Sequence, residues 1–307
     1  MTSFSQRLIN SYAATLPYKT QLGLTDDTLW EWATTRKHTL GRARPHLWPY
    51  RVGCEVVNHR DAAVGYWEYI PTAGPARPGC ILFFHGGSWM FRFSALQAGF
   101  VAAIARGSGL RVRVPRYPLL PDATGKEFRE GIMAAWQDCL ADGMDPRDIV
   151  VMGDSAGGHA SLVLYQMLRA QEQVQPARYI VLSAPMDFVT PPDPDTLALE
   201  AEDPVIALGS TPVLGRQLAG GLPLDDPRVS PRLGEYDGCP PIDLFVGEHE
   251  VLKTASVSLA REWGERAPVR VHVGRGCIHD WPTFPTREGR VARAAILDLL
   301  NASPHDA

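Results

Sequence analysis

Val150-Val151-Met152-Gly153-Asp154-Ser155-Ala156-Gly157-Gly158-His159 is the stretch on which the reading of this chain turns. It opens as an apolar run, the pattern of a buried strand, stops at Gly-x-Ser-x-Gly and continues with helical spacing. Glycines on both sides of the serine let strand and helix approach closely and hold the hydroxyl clear of the sheet, as an exposed nucleophile requires. Ser155 is therefore the candidate nucleophile. The competing reading is a strand-to-helix turn whose serine merely caps the helix. Against it stands an earlier stretch, Cys80-Ile81-Leu82-Phe83-Phe84-His85-Gly86-Gly87-Ser88-Trp89, a second buried strand running into a glycine loop. Two such loops offer backbone N–H groups that can converge on one oxyanion.

Outward from these stretches, strand and helix patterns alternate: strands at 80–84, 111–114, 148–152 and 178–183, with helices near 95–107, 126–141 and 156–170 between and after them. In the helix from Lys126, Phe128, Ile132, Trp136 and Cys139 recur at three to four residues and predict one core-facing stripe. The alternation predicts βαβ units and a mostly parallel sheet with helices on both faces. Ligands in such sheets bind at the carboxyl ends of the strands, where both glycine loops lie. The pattern resumes with a strand at 242–246, a helix at 254–265, a strand at 269–273, a loop at 274–284 and a final helix at 286–300.

The flanks differ. Two helical stretches, 4–16 and 26–38, precede a hairpin of strands at 51–58 and 63–70, turning at His59-Arg60-Asp61-Ala62. Leu29, Trp30, Trp32 and Ala33 make the second stretch too apolar for a lone surface helix, so residues 1–50 are expected to cap the catalytic face. Residues 186–239 are dense in proline and show no strand, with a short helix at 211–219. A long irregular segment in a compact domain usually has a task, so this one is assigned to the cap as well. The expected core is then 51–185 plus 240–307.

Composition narrows the function. The chain has 307 residues, 45% of them hydrophobic and 21% charged, enough for a full core, and its net charge of -4 without a long basic run argues against a nucleic-acid partner. Arg106, Arg111, Arg113 and Arg116 alternate with apolar residues and read as the solvent side of a strand. No basic-then-apolar leader and no eighteen-residue apolar run is present, so a cytoplasmic protein without a membrane partner is expected. Cys54, Cys80, Cys139, Cys239 and Cys277 are scattered and odd in number, which points to core thiols and not a disulfide framework. The nine histidines show no metal-ligand spacing, and no dinucleotide or phosphate-binding glycine motif follows a strand; no metal and no cofactor is expected. The pattern specifies no oligomeric state.

A serine nucleophile needs a base, and in this architecture acid and histidine follow it in that order, each on a loop after a strand. His279, between the last strand and the last helix, satisfies the order. For the acid, Gly247-Glu248-His249-Glu250-Val251-Leu252 offers two glutamates. Asp280 adjoins His279, but neighbouring side chains in extended chain point apart, so it is expected to be a loop charge.

His85-Gly86-Gly87-Ser88-Trp89, Gly153-Asp154-Ser155-Ala156-Gly157-Gly158, Tyr117 before Leu119-Leu120-Pro121-Asp122, Asp203-Pro204-Val205, Glu250-Val251-Leu252 and Ile278-His279-Asp280-Trp281 together resemble the signatures of the hormone-sensitive-lipase-like α/β-hydrolases, over about residues 80–300. The resemblance implies an α/β-hydrolase fold with a helical cap, carboxylic ester hydrolysis, Ser155, Glu250 and His279 as triad, and Gly86, Gly87 and Ala156 as oxyanion donors. It departs at Glu250, where many relatives carry aspartate, and at Arg116-Tyr117-Pro118-Leu119-Leu120-Pro121-Asp122, where they have Asp-Tyr-Arg-Leu-Ala-Pro-Glu.

The expected substrate is a small or medium apolar ester, with Trp89, Phe91, Phe93 and Trp281 as candidate walls of the acyl pocket. An acyltransferase or cyclising enzyme would use the same triad. A non-catalytic binding protein on this fold ranks last, because a complete triad serves no binding purpose.

Overall fold

The structure, a computed structural model, describes residues 2–36, 45, 47 and 51–302. In chain order the elements are α1 (Phe4–Thr15), α2 (Tyr18–Leu22), α3 (Asp26–Arg36), β1 (Cys54–His59), β2 (Tyr66–Pro71), β3 (Cys80–Phe84), α4 (Ala95–Ser108), β4 (Arg111–Pro115), α5 (Gly125–Ala141), β5 (Ile149–Asp154), α6 (Ala156–Ala170), β6 (Arg178–Leu182), α7 (Pro194–Glu202), α8 (Thr211–Ala219), β7 (Ile242–Gly247), α9 (Lys253–Trp263), β8 (Val269–Gly274) and α10 (Arg287–Asn301).

One eight-stranded sheet carries them, in the order β1-β2-β4-β3-β5-β6-β7-β8. Strands β1 and β2 form the expected antiparallel hairpin, and β2 pairs antiparallel with β4; from β4 through β8 every pairing is parallel. Every residue of β3, β5, β6 and β7 is buried, because helices cover both faces of the middle of the sheet. One face packs against α5, α6, α8 and α9, the other against α4 and α10. The stripe expected on α5 is fully buried, and a Thr124/Glu127 capping box starts that helix one residue before Lys126. The chain switches sides around β3, which lies between β4 and β5, and both glycine loops leave the sheet there, at the carboxyl ends of β3 and β5.

The flanking segments are more helical than expected. Helix α2 is an added element, and α3 is described to Arg36; its expected extension to His38 lies outside the described residues. In the 186–239 segment, α8 matches the expected helix, whereas α7 was not anticipated. Its signal was local: the Asp193 carboxylate accepts from the Thr196 N–H, and Pro194 occupies the first turn, where its missing N–H costs nothing. No helix among the described residues is long and apolar enough to cross a membrane.

Candidate active site

At the end of β5 the backbone of Ser155 takes φ 51° and ψ -120°, and α6 begins at the next residue. This conformation is costly for a non-glycine residue, on the order of 1–3 kcal/mol, and survives where the surroundings enforce it. Here the Ser155 N–H donates to the Leu182 carbonyl at 2.7 Å, and a Cβ at Gly157 would come 1.9 Å from the Phe84 carbonyl oxygen. Only glycine at 157 lets α6 sit this close to β3. The turn presents Ser155 Oγ to His279, whose Nε2 lies 3.0 Å away.

His279 sits on the loop after β8 and is buried; burial pushes its imidazole down to about 3, so the ring is neutral and can accept a proton. Its Nδ1 faces Glu250 Oε2 at 3.9 Å, longer than a direct hydrogen bond. Glu250 is fully buried, and its Oε2 accepts from the Ser183 hydroxyl at 2.8 Å. Burial pushes the Glu250 carboxyl up to about 8; the Ser183 hydroxyl opposes the rise and the charge of Asp203 adds to it. The two glutamates of the loop after β7 thus part company. Glu248 accepts from the Gly276 N–H at 2.6 Å and braces the histidine loop, while Glu250 lies against the ring. Asp203 holds the acid loop from the far side: one carboxylate oxygen accepts from the Val251 N–H at 2.9 Å, the other from Val205 and Ile206.

Asp280 departs from expectation. Its backbone is left-handed, φ 57° and ψ 26°, not extended, so its side chain folds back and Oδ2 comes 3.4 Å from His279 Nε2. Burial raises its carboxyl well above the usual carboxylate range, with Asp154 and Glu250 adding to the rise.

The glycine loop after β3 is clamped to the serine turn. Asp154 Oδ1 accepts from the Gly86 N–H at 2.9 Å and Oδ2 from the Gln97 amide at 2.6 Å; burial pushes its carboxyl up to about 6, against these two bonds. The Gly86 N–H, expected to face an oxyanion, is therefore engaged within the protein. Next along the loop, Gly87 takes φ 124°, a conformation open to glycine, and Ser88 takes φ 52°. The N–H groups of Gly87, Ser88 and Ala156 have no partner among the described residues. That of Ala156 is the first of α6, where no intrahelical acceptor exists. Behind the loop, His85 stacks on Tyr117, whose hydroxyl donates to the His85 carbonyl.

A cavity of about 470 Å³ opens at Ser155, walled by Leu22, Trp89, Met186, Phe188, Leu208 and Leu214 among others. Of the aromatic walls expected, only Trp89 lines it, fixed by its indole N–H donating to His159 Nδ1 at 3.1 Å. Phe91 packs edge-on against Trp32 of α3 at 5.2 Å. Phe93 and Trp281 belong to the core beneath α4 and α10. The walls not named from the sequence come from α2, from the 186–239 segment, and from the loop after β7 and α9, with Val251, Leu252 and Ala255. No group of three or more His, Cys, Asp or Glu that could hold a metal ion occurs among the described residues.

A hydroxyl bonded to a neutral imidazole, a carboxyl at the other ring nitrogen and unpartnered N–H groups beside an apolar cavity can together activate a nucleophile and receive an oxyanion. Comparison with known proteins is consistent with that chemistry. A family model described as the alpha/beta hydrolase fold matches residues 81–283. An esterase of Acinetobacter venetianus is 29% identical over 199 residues, 62% of this chain and 63% of that protein. An acetyl-hydrolase of Streptomyces hygroscopicus is 27% identical over 172 residues, 56% of this chain and 57% of that protein. The chain thus spans less than two thirds of the length of these curated relatives. The crystal structure of an esterase from the bacterial hormone-sensitive lipase family superposes with a TM-score of 0.78 at 23% identity, covering 98% of each chain.

Proposed function

We propose that this chain, which belongs to the α/β hydrolases by the family model that matches residues 81–283, is of the hormone-sensitive-lipase-like kind and hydrolyses small or medium apolar carboxylic esters through Ser155, His279 and Glu250. The observation that carries this reading is the 3.0 Å contact of His279 Nε2 with Ser155 Oγ at a strained strand-to-helix turn, with Glu250 at the other ring nitrogen.

In this mechanism Ser155 Oγ attacks the acyl carbon while its proton passes to His279 Nε2. Glu250, in its ionised form, stabilises the imidazolium and keeps the ring oriented, so activity rises with pH as the raised carboxyl loses its proton. The tetrahedral oxyanion accepts from the N–H groups of Gly87 and Ala156, with Ser88 in the place first expected of Gly86; one such donor is worth about 2.7–4 kcal/mol of barrier. His279 returns the proton to the departing alkoxide, leaving an acyl-Ser155 ester. Water then gives a proton to His279 as it attacks that ester, and the acid leaves as Ser155 recovers its proton.

The 470 Å³ cavity and its apolar walls support a substrate with a short or medium acyl chain. Residues 2–36 and 186–239 form the cap in this reading, supported by Leu22 and Leu214 in the walls and by Trp32 on Phe91; the rest of the expected N-terminal cap segment, to residue 50, lies largely outside the described residues.

The test is labelling with a fluorophosphonate, followed by turnover of 4-nitrophenyl esters from acetate to dodecanoate, with Ser155→Ala as control. Labelling and hydrolysis, both absent in the control, support the proposal. Labelling without hydrolysis points to transfer to an acceptor other than water, and absence of labelling removes the nucleophile.

A further inference from the structure

Just past β6, Ser183 takes φ 48° and is fully buried. Glycine is the default residue for such a backbone, so a buried serine that keeps it suggests a use for the hydroxyl. That hydroxyl is engaged in both directions: it donates to Glu250 Oε2 at 2.8 Å and accepts from the Asp280 N–H at 3.0 Å. Glu250 follows β7 and Asp280 follows β8, so one side chain links the loop bearing the carboxyl to the loop bearing the imidazole. The Ser183 N–H in turn donates to the Phe245 carbonyl at 2.8 Å, which ties the linker to the sheet. Both residues in the link, Ser183 and Asp280, have positive φ, so the hydrogen bond spans two turns that the local chain does not favour.

We propose, on the reading of Ser155, His279 and Glu250 as a triad, that Ser183 is a positioning residue of the proton relay. Its hydroxyl sets the distance of the Glu250 carboxyl from His279 Nδ1 and fixes the peptide that follows the ring. The 3.9 Å separation makes this placement matter: a carboxyl at that range either closes on Nδ1 during the reaction or drifts away, and Ser183 holds it by the oxygen nearest the ring. The charged and titratable groups around Glu250 include Asp203 after α7, Lys253 at the start of α9, and Cys277, His279 and Asp280 on the loop after β8. Among these neighbours Ser183 contributes a neutral donor that favours the ionised carboxylate.

Two variants separate positioning from a structural role. Ser183→Ala removes the hydroxyl and keeps the strained backbone, whereas Ser183→Gly removes the hydroxyl and relieves the strain. With 4-nitrophenyl butyrate, both should lower kcat about 10²-fold, the scale of a small misplacement in a reacting array, with KM unchanged. Fluorophosphonate labelling should slow in both yet still occur at Ser155. The acid limb of kcat/KM should move to higher pH in both, because ionised Glu250 has lost a donor. The glycine variant should unfold at a higher temperature than the alanine variant without being more active. Activity that follows stability, with Ser183→Gly restored toward wild type, would overturn the proposal, as would kcat within threefold of wild type in either variant. A wild-type protein that neither labels nor hydrolyses overturns the triad reading itself, an outcome distinct from active variants in an active background.

Discussion

Replacing Glu250 by glutamine should make this protein more stable and nearly inactive, and both effects follow from one buried carboxyl. Burial raises that carboxyl from an ordinary 4.5 to about 8 in the folded chain. Between these values the unfolded chain has released its proton while the native chain still holds it, so native stability falls as pH rises, and the loss is complete above about 8. At roughly 1.4 kcal/mol for each tenfold change in proton affinity, the full loss is about 5 kcal/mol. Glutamine has no proton to lose and can still accept from Ser183. His279, lowered to about 3, acts in the opposite sense between pH 3 and its ordinary 6.5, but it does so in both proteins and cancels in the difference. The stability advantage of Glu250→Gln should therefore be near zero at pH 4.5 and grow to a few kcal/mol at pH 8, up to roughly 10 °C in Tm for a chain of this size. Turnover should drop by about 10⁴, as for the analogous acid-to-amide change in a serine protease, because the amide can leave the imidazole in the wrong tautomer. Thermal or urea unfolding at pH 5, 6.5 and 8, paired with kcat on a 4-nitrophenyl ester, tests both parts. A stability difference that stays flat across this range would refute the argument from burial, and a larger activity loss in Glu248→Gln would move the acid to Glu248.

Two further outcomes are expected. Asp154→Ala leaves the Gly86 N–H and the Gln97 amide without their acceptor, which should cost about 2–4 kcal/mol in urea unfolding and lower kcat more than it raises KM, since the glycine loop is no longer clamped to the serine turn; unchanged kcat would free the loop from that dependence. Leu214→Trp fills part of the cavity from α8 and should lower kcat/KM for hexanoate and longer esters by about 10-fold or more while sparing acetate, as judged across the ester panel; an equal loss for every chain length would place Leu214 outside the acyl site.

Local pattern alone determined a good deal of this protein. The apolar run ending in Gly-x-Ser-x-Gly encodes β5, the turn and α6 because strand period, close approach and helix period are set by neighbouring residues. The stripe on α5 and the strand-helix alternation from Cys80 specify the parallel sheet for the same reason. The Asp193-Pro194 start of α7 was equally local and legible, though the surrounding prolines masked it. Other features were settled by tertiary structure. Glu248 and Glu250 share a direction in extended chain, and only the fold of the loop after β7 sends one to the Gly276 N–H and the other to the imidazole. The side chain of Asp280 turns back because its backbone is left-handed, its N–H held by a serine ninety-seven residues earlier in the chain. The Gly86 N–H is taken by Asp154, a partner on a different strand. Beside Trp89, the cavity walls come from α2, the 186–239 segment, and the loop after β7 and α9, while two of the aromatics nearest the catalytic loops in sequence, Phe91 and Trp281, pack away from it. Periodicity and steric fit are properties of adjacent residues and can be read from them; where a side chain points after an irregular turn is set by φ and ψ values that distant packing imposes, and that information is not in the local sequence.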